Sequence, residues 1–173
     1  MKFLNLFRCI YIYSLFRCIY IYSKMKPSLP PVLPCLCSSF RRTSRALTQL
    51  YEQALRPLGL RATQFTILQV LALAGEVTQQ QLGDMLAMDS TTLTRTLVIM
   101  ERQGWIAERR GEDRRQRWLQ LSKGGETQLK RALPVWEKAQ SQLRRRVGDQ
   151  VWQNLFQLTN QVTDIAITQG DSL

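Results

Sequence analysis

Residues Thr78–Gly104 read TQQQLGDMLAMDSTTLTRTLVIMERQG, and this run decides the fold. Thr78 followed three residues later by Gln81 is the reciprocal capping pattern of a helix start, and Leu82, Met85 and Leu86 give that short helix an inner face. Only Ala87 and Met88 separate it from Asp89, a second capping residue. From there Leu93, Leu97 and Met100 fall on one helical face and Thr91, Thr92 and Arg95 on another, until Gly104 stops the helix. Two short helices across a tight turn, the second opening on hydroxyl residues and an arginine, have the layout of a helix-turn-helix.

Towards the C-terminus, 105–110 (WIAERR) and 117–121 (RWLQL) alternate as strands around a polar turn that holds Gly111. The order helix, turn, helix, hairpin is that of a winged helix. Beyond it, Ser122 caps a long helix with Leu129, Leu133, Trp136, Leu143 and Val147 in a stripe, broken at Gly148. A last helix places Val151, Leu155, Leu158, Val162 and Ile165 at steps of four and three. These stripes exceed what a small module needs to cover itself, which points to a second copy of the chain; an intramolecular helical hairpin is the competing reading.

Towards the N-terminus, a helix over about 62–74 is expected to bury Phe65, Leu68, Leu71 and Ala72. Another, over 38–55, carries Leu47, Leu50, Tyr51, Ala54 and Leu55 and ends at Pro57 and Gly59. Pro27, Pro30, Pro31 and Pro34 make the preceding stretch a stiff extended linker. Before it, LFRCIYIYS stands at residues 6–14 and again, unchanged, at 15–23. Perfect tandem identity points to duplicated coding DNA rather than to a structural repeat, and it favours Met25 as the start of translation. Arg8 and Arg17 interrupt the apolar runs, which argues against both a secretory signal and a membrane span. An interfacial anchor is the weaker alternative, because Ile-Tyr-Ile-Tyr favours a strand.

Composition narrows the function. The 173 residues carry 24 Lys and Arg against 13 Asp and Glu and no histidine, a formal charge of +11. Residues 1–26 hold Lys2, Arg8, Arg17, Lys24 and Lys26 with no acid, and the rest of the chain remains basic without them. Such an excess suits a polyanion, nucleic acid first and an anionic membrane surface second. The absence of histidine removes the commonest general base and the commonest zinc ligand, so no enzyme, metal site or cofactor is expected. A reducing, cytoplasmic compartment follows from the lack of an export signal.

Two groups of residues are candidates for chemistry. Ser90, Thr91, Thr92 and Arg95 open the second helix, where hydroxyls and a guanidinium reach phosphates and base edges. Asp113, Arg114 and Arg115 occupy the hairpin turn, flanked by Arg109, Arg110 and Arg117, and arginines on a thin turn suit a narrow minor groove. Cys35 and Cys37 form a third, weaker candidate: Arg41 and Arg42 follow closely and would favour a thiolate, although a cysteine often simply packs. Arg144, Arg145 and Arg146 end the long helix, where cations suit the dipole, and are read as structural.

These residues resemble the MarR family of winged helix-turn-helix regulators from about Cys35 to Ile167. The likeness rests on Gly59-Leu60 with Gln64-Phe65, Leu82 to Leu86, Ser90 to Arg95, Glu101 to Gly104, the turn Asp113 to Arg115, and Leu121-Ser122 followed by Gly125. Arg61 departs from it, standing where many relatives have a capping Thr. The resemblance implies a mainly α fold with a small β-hairpin wing, a winged helix-turn-helix plus a helical dimerisation region. It implies a homodimer on a pseudo-palindromic double-stranded DNA operator, a repressor released by a small phenolic ligand or an oxidant. By the same likeness Arg115 enters the minor groove with Asp113 supporting it, and Cys35 and Cys37 lie where some relatives keep a peroxide-sensing thiol. The expected organisation is a leader over 1–24, a linker over 25–35, a dimerisation helix over 36–58, the DNA-binding domain over 59–121 and dimerisation helices over 122–168. The competing function is a ligand- or redox-responsive sensor that works through protein contacts, with the winged helix as scaffold.

Overall fold

The computed structural model describes residues 35–110 and 116–170, the side chains of Arg110, Ile167, Gln169 and Gly170 apart. The leader, most of the linker and the hairpin turn therefore lie outside the described residues. Helix α1 (Leu36–Leu55) leads through a 3-10 turn (Arg56–Leu58) to α2 (Ala62–Ala74). Strand β1 (Val77–Thr78), α3 (Gln79–Leu86) and α4 (Ser90–Arg102) follow, then β2 (Ile106–Arg110), β3 (Arg117–Leu121), α5 (Lys123–Val147) and α6 (Asp149–Gly170). Two compact units divide at Leu47, within α1. In the first, the opening turns of α1 leave Leu36 and Phe40 exposed.

The second unit is built on the helix-turn-helix. Thr78 Oγ1 accepts the Gln81 N–H at 3.1 Å while Gln81 Oε1 accepts the Thr78 N–H at 2.9 Å, the reciprocal cap expected from the sequence. Helix α2 begins at Ala62 although Arg61 brings no capping hydroxyl: Gln64 Oε1 reaches back to the Arg61 N–H at 2.9 Å. The turn between α3 and α4 runs through Ala87 in the left-handed region (φ 47°), with its N–H on the Asp84 carbonyl. Leu82, Leu93, Leu97 and Met100 are fully buried together with Leu55, Ile67, Leu68 and Leu71. Burying one such side chain contributes about 1.5–3 kcal/mol, so the amphipathic faces specify how these helices pack.

A three-stranded antiparallel sheet in the order β1-β3-β2 closes this unit, with Val77 opposite Leu119 and Ile106 opposite Leu121. Strand β1 was not expected from the sequence; it is two residues long and is defined by pairing with β3. Two burial expectations also fail. Ala72 is exposed and Met85 is 57% exposed, because no described element covers those sides of α2 and α3.

Helix α5 docks by close approach. Ser122 Oγ accepts the Gly125 N–H at 3.0 Å and donates to the Gly104 carbonyl at 2.6 Å, and the Ser122 N–H reaches the Trp105 carbonyl at 3.1 Å. A Cβ on Gly125 would lie 2.0 Å from the Trp105 carbonyl oxygen. Further along, Trp136 packs on Phe65 with ring centres 5.6 Å apart, and Leu129 and Ala132 join the core. The first half of the stripe on α5 is thus spent within the chain. Pro134 sits inside this helix without ending it, and has no N–H to offer the Lys130 carbonyl. After Gly148 (φ 87°), Arg144 pairs with Asp149 at 2.6 Å across the junction with α6.

Candidate nucleic-acid interface

The start of α4 is built by its cap. Asp89, in extended conformation, accepts the Thr92 N–H at 2.8 Å. Its carboxyl lies below the ordinary carboxylate range because the Thr92 hydroxyl, then the backbone N–H groups of Thr92 and Thr91, favour the charged form. With Leu93, Leu97 and Met100 anchored in the core, Ser90, Thr91, Thr92 and Arg95 all emerge on the exposed side of the helix. Arg95 enters no ion pair with a described residue. Thr94 and Thr96 are half-buried, their hydroxyls donating to the Ser90 and Thr92 carbonyls.

An open cleft of about 540 Å³ lies beside this helix, lined among others by Gln79, Asp84, Met88, Ser90 and Arg117. It places the exposed N-terminus of α4 and the base of the hairpin on one concave face. Asp113, Arg114 and Arg115 lie outside the described residues, so the geometry speaks only for the strands that carry them.

Those strands show what the sequence left open. Arg109 and Arg117, expected only to flank the hairpin turn, are both engaged by carboxylates. Arg109 Nε and Nη2 donate to the two oxygens of Glu76 at 3.0 and 2.8 Å, and its guanidinium lies 5.5 Å over Trp118. Arg117 Nε donates to Glu108 Oε1 at 2.8 Å and Nη2 to Glu108 Oε2, with Glu101 3.6 Å away. The Glu101 carboxyl is raised above its ordinary value, chiefly because the Glu108 carboxyl is hydrogen-bonded to it. Sequence reasoning missed Glu76, Gln79, Glu101 and Glu108 as partners. For Glu108 a signal existed, since opposite charges on facing strands near a turn mark a diagonal cross-strand pair.

Cys35 and Cys37 are exposed free thiols. Cys35 immediately precedes α1, and its pKa is lowered mainly by the Ser38 backbone N–H; Arg41 contributes least among the causes. The helix start, rather than the arginine pair expected from the sequence, is what favours the thiolate. Among the described residues no helix is long and apolar enough to cross a membrane, and no three Cys, Asp or Glu side chains gather where a metal could bind.

The model of the MarR family matches residues 58–116. The chain is 31% identical over 91 residues to the uncharacterized HTH-type transcriptional regulator YwoH of Bacillus subtilis (strain 168), covering 53% of this chain and 66% of that protein. It is 32% identical over 101 residues to the organic hydroperoxide resistance transcriptional regulator of the same strain, covering 58% of this chain and 69% of that protein. Among solved structures, the M. tuberculosis transcriptional regulator MosR in complex with DNA is similar with a TM-score of 0.66 and 34% identity, over 76% of this chain and 98% of that one.

Proposed function

The chain belongs to the MarR family, and from that premise we infer that it is a transcription regulator that binds double-stranded DNA as a homodimer and represses until an oxidant releases it. The observation that carries this reading is the start of α4, where Ser90, Thr91, Thr92 and Arg95 are exposed on a helix whose other face is locked into the core. A rigid helix with short polar groups and one exposed guanidinium near its positive end is suited to the major groove. Asp113, Arg114 and Arg115 are assigned to the wing contact through the family likeness, Arg115 in the minor groove. The MosR complex supports the DNA reading, because that relative was crystallised with DNA.

The test begins with a duplex selected from a random pool by the protein itself. Arg95→Ala is expected to cost about 1–3 kcal/mol on that duplex and much less on random DNA, as a base-edge contact does. Arg115→Ala is expected to flatten the salt dependence by about one unit of slope and to erase preference for A·T flanks. Fluorescence anisotropy at several salt concentrations reads both, and affinities indifferent to both substitutions would refute the assignment.

Release by oxidant, rather than by a phenolic ligand, is favoured by the exposed Cys35 with its lowered pKa and by the 32% likeness to the hydroperoxide-resistance regulator. The thiolate attacks one peroxide oxygen, the O–O bond breaks, alkoxide leaves, and a sulfenic acid remains on sulfur. A mild organic hydroperoxide is expected to weaken DNA binding by the parent and leave a Cys35→Ser, Cys37→Ser variant unmoved. Equal sensitivity in both would remove these thiols from the mechanism.

A further inference from the structure

Arg117 stands where four elements meet. It leaves β3 with its side chain 30% exposed and grips Glu108 of β2 through two guanidinium nitrogens. Its Nη1 donates to Gln79 Oε1 at 3.1 Å, at the first residue of α3. Gln79 passes the link on, Nε2 donating to Thr94 Oγ1 of α4 at 2.8 Å, and Glu101 near the end of α4 faces the same guanidinium. One planar fork therefore ties the hairpin to both helices of the helix-turn-helix. Lysine, a single point of charge on a flexible stem, cannot reproduce it.

We propose that Arg117 is a positioning residue for DNA recognition: held by Glu108, Glu101 and Gln79, it sets the hairpin at a fixed angle to α4 so that both meet the duplex in one register, and it does not itself contact phosphate. The proposal rests on the DNA-binding reading above. Its physical basis is that the guanidinium faces two carboxylates, so little net charge is left to displace counterions, while its nitrogens already have protein partners. The same construction recurs one layer out, where Arg109 is held by Glu76 and stacked over Trp118.

The prediction differs from that for a phosphate contact in its salt dependence and in the response to Glu108→Gln. Arg117→Lys and Arg117→Gln are both expected to weaken binding to the selected duplex by about tenfold or more, the scale of a lost charge-assisted link. The slope of affinity against salt should stay unchanged, and so should affinity for random DNA. Glu108→Gln, which removes an acid and keeps every base, is expected to weaken selected-duplex binding too, although bare electrostatics would strengthen it. Circular dichroism and thermal melting of each variant identify any that fail to fold, and Gln79→Ala, which changes no charge, repeats the test at the other end of the link. Full binding by Arg117→Lys with a slope reduced by about one in Arg117→Gln would make Arg117 a phosphate contact and overturn the proposal. Tighter binding by Glu108→Gln, or parent-like binding by Gln79→Ala, would also overturn it. A parent chain that prefers no duplex over random DNA overturns the DNA reading itself, and is distinguished by being seen before any substitution is made.

Discussion

Gly125→Ala is expected to destabilise the protein by about 3 kcal/mol or more, lowering the melting temperature by roughly 6–12 °C. The added methyl would sit 2.0 Å from the Trp105 carbonyl oxygen and 2.9 Å from Leu121 Cδ1. Backbone cannot swing aside as the end of a side chain can, so the start of α5 must lift from the turn before β2. That movement would also pull Ser122 from the Gly104 carbonyl, where its hydroxyl now donates at 2.6 Å. Gly59→Ala provides the comparison: its Cβ meets nothing within 4 Å and its cost is only that of φ +66°, about 1 kcal/mol. Urea denaturation of the two variants separates crowding from backbone conformation. Equal midpoints would sink the close-approach account.

The second large effect concerns α6. In the single chain Val151, Leu155, Leu158 and Ile165 are between 46% and 56% exposed, a continuous apolar face on one helix. Water is a poor neighbour for such a face, and in the homodimer proposed above a second copy would offer an identical one across a two-fold axis. Leu158→Asp would then place the charge in the interface twice. The dissociation constant of the proposed dimer is expected to rise at least about a hundredfold, near 3 kcal/mol, with helical content preserved because the position is already half-exposed in the single chain. Sedimentation at micromolar concentration checks it. A variant that sediments as the parent does, with unchanged affinity for DNA, would take α6 out of the interface.

What the sequence disclosed is what short-range chemistry controls. The caps at Thr78, Asp89 and Ser122 were all legible, since each donor and acceptor lies within three residues of its partner. The helix-turn-helix and both hairpin strands followed from spacing for the same reason, and the MarR comparisons agree with that order. Long-range partners were not legible. Nothing near Arg109 announces Glu76, and nothing near Val77 announces Leu119, because those contacts exist only once the sheet has closed on the helices. Ala72 and Met85 show the complementary failure: periodicity says which residues share a face, but only the fold says whether anything covers it. The stripe on α5 was visible too, though not that Trp136 would meet Phe65 of the same chain.

The left-handed alanine between α3 and α4 constrains how this sequence can drift. An L-residue at φ 47° costs about 1–2 kcal/mol, which the burial of Leu82, Leu93 and Leu97 in the common core must offset. Of the substitutions reachable at Ala87, glycine, asparagine and aspartate relax the backbone, whereas valine, isoleucine and threonine add a branched Cβ to an already strained turn. Variation at this position is therefore steered by a torsion angle rather than by side-chain size, and the turn between the two helices is inherited through it.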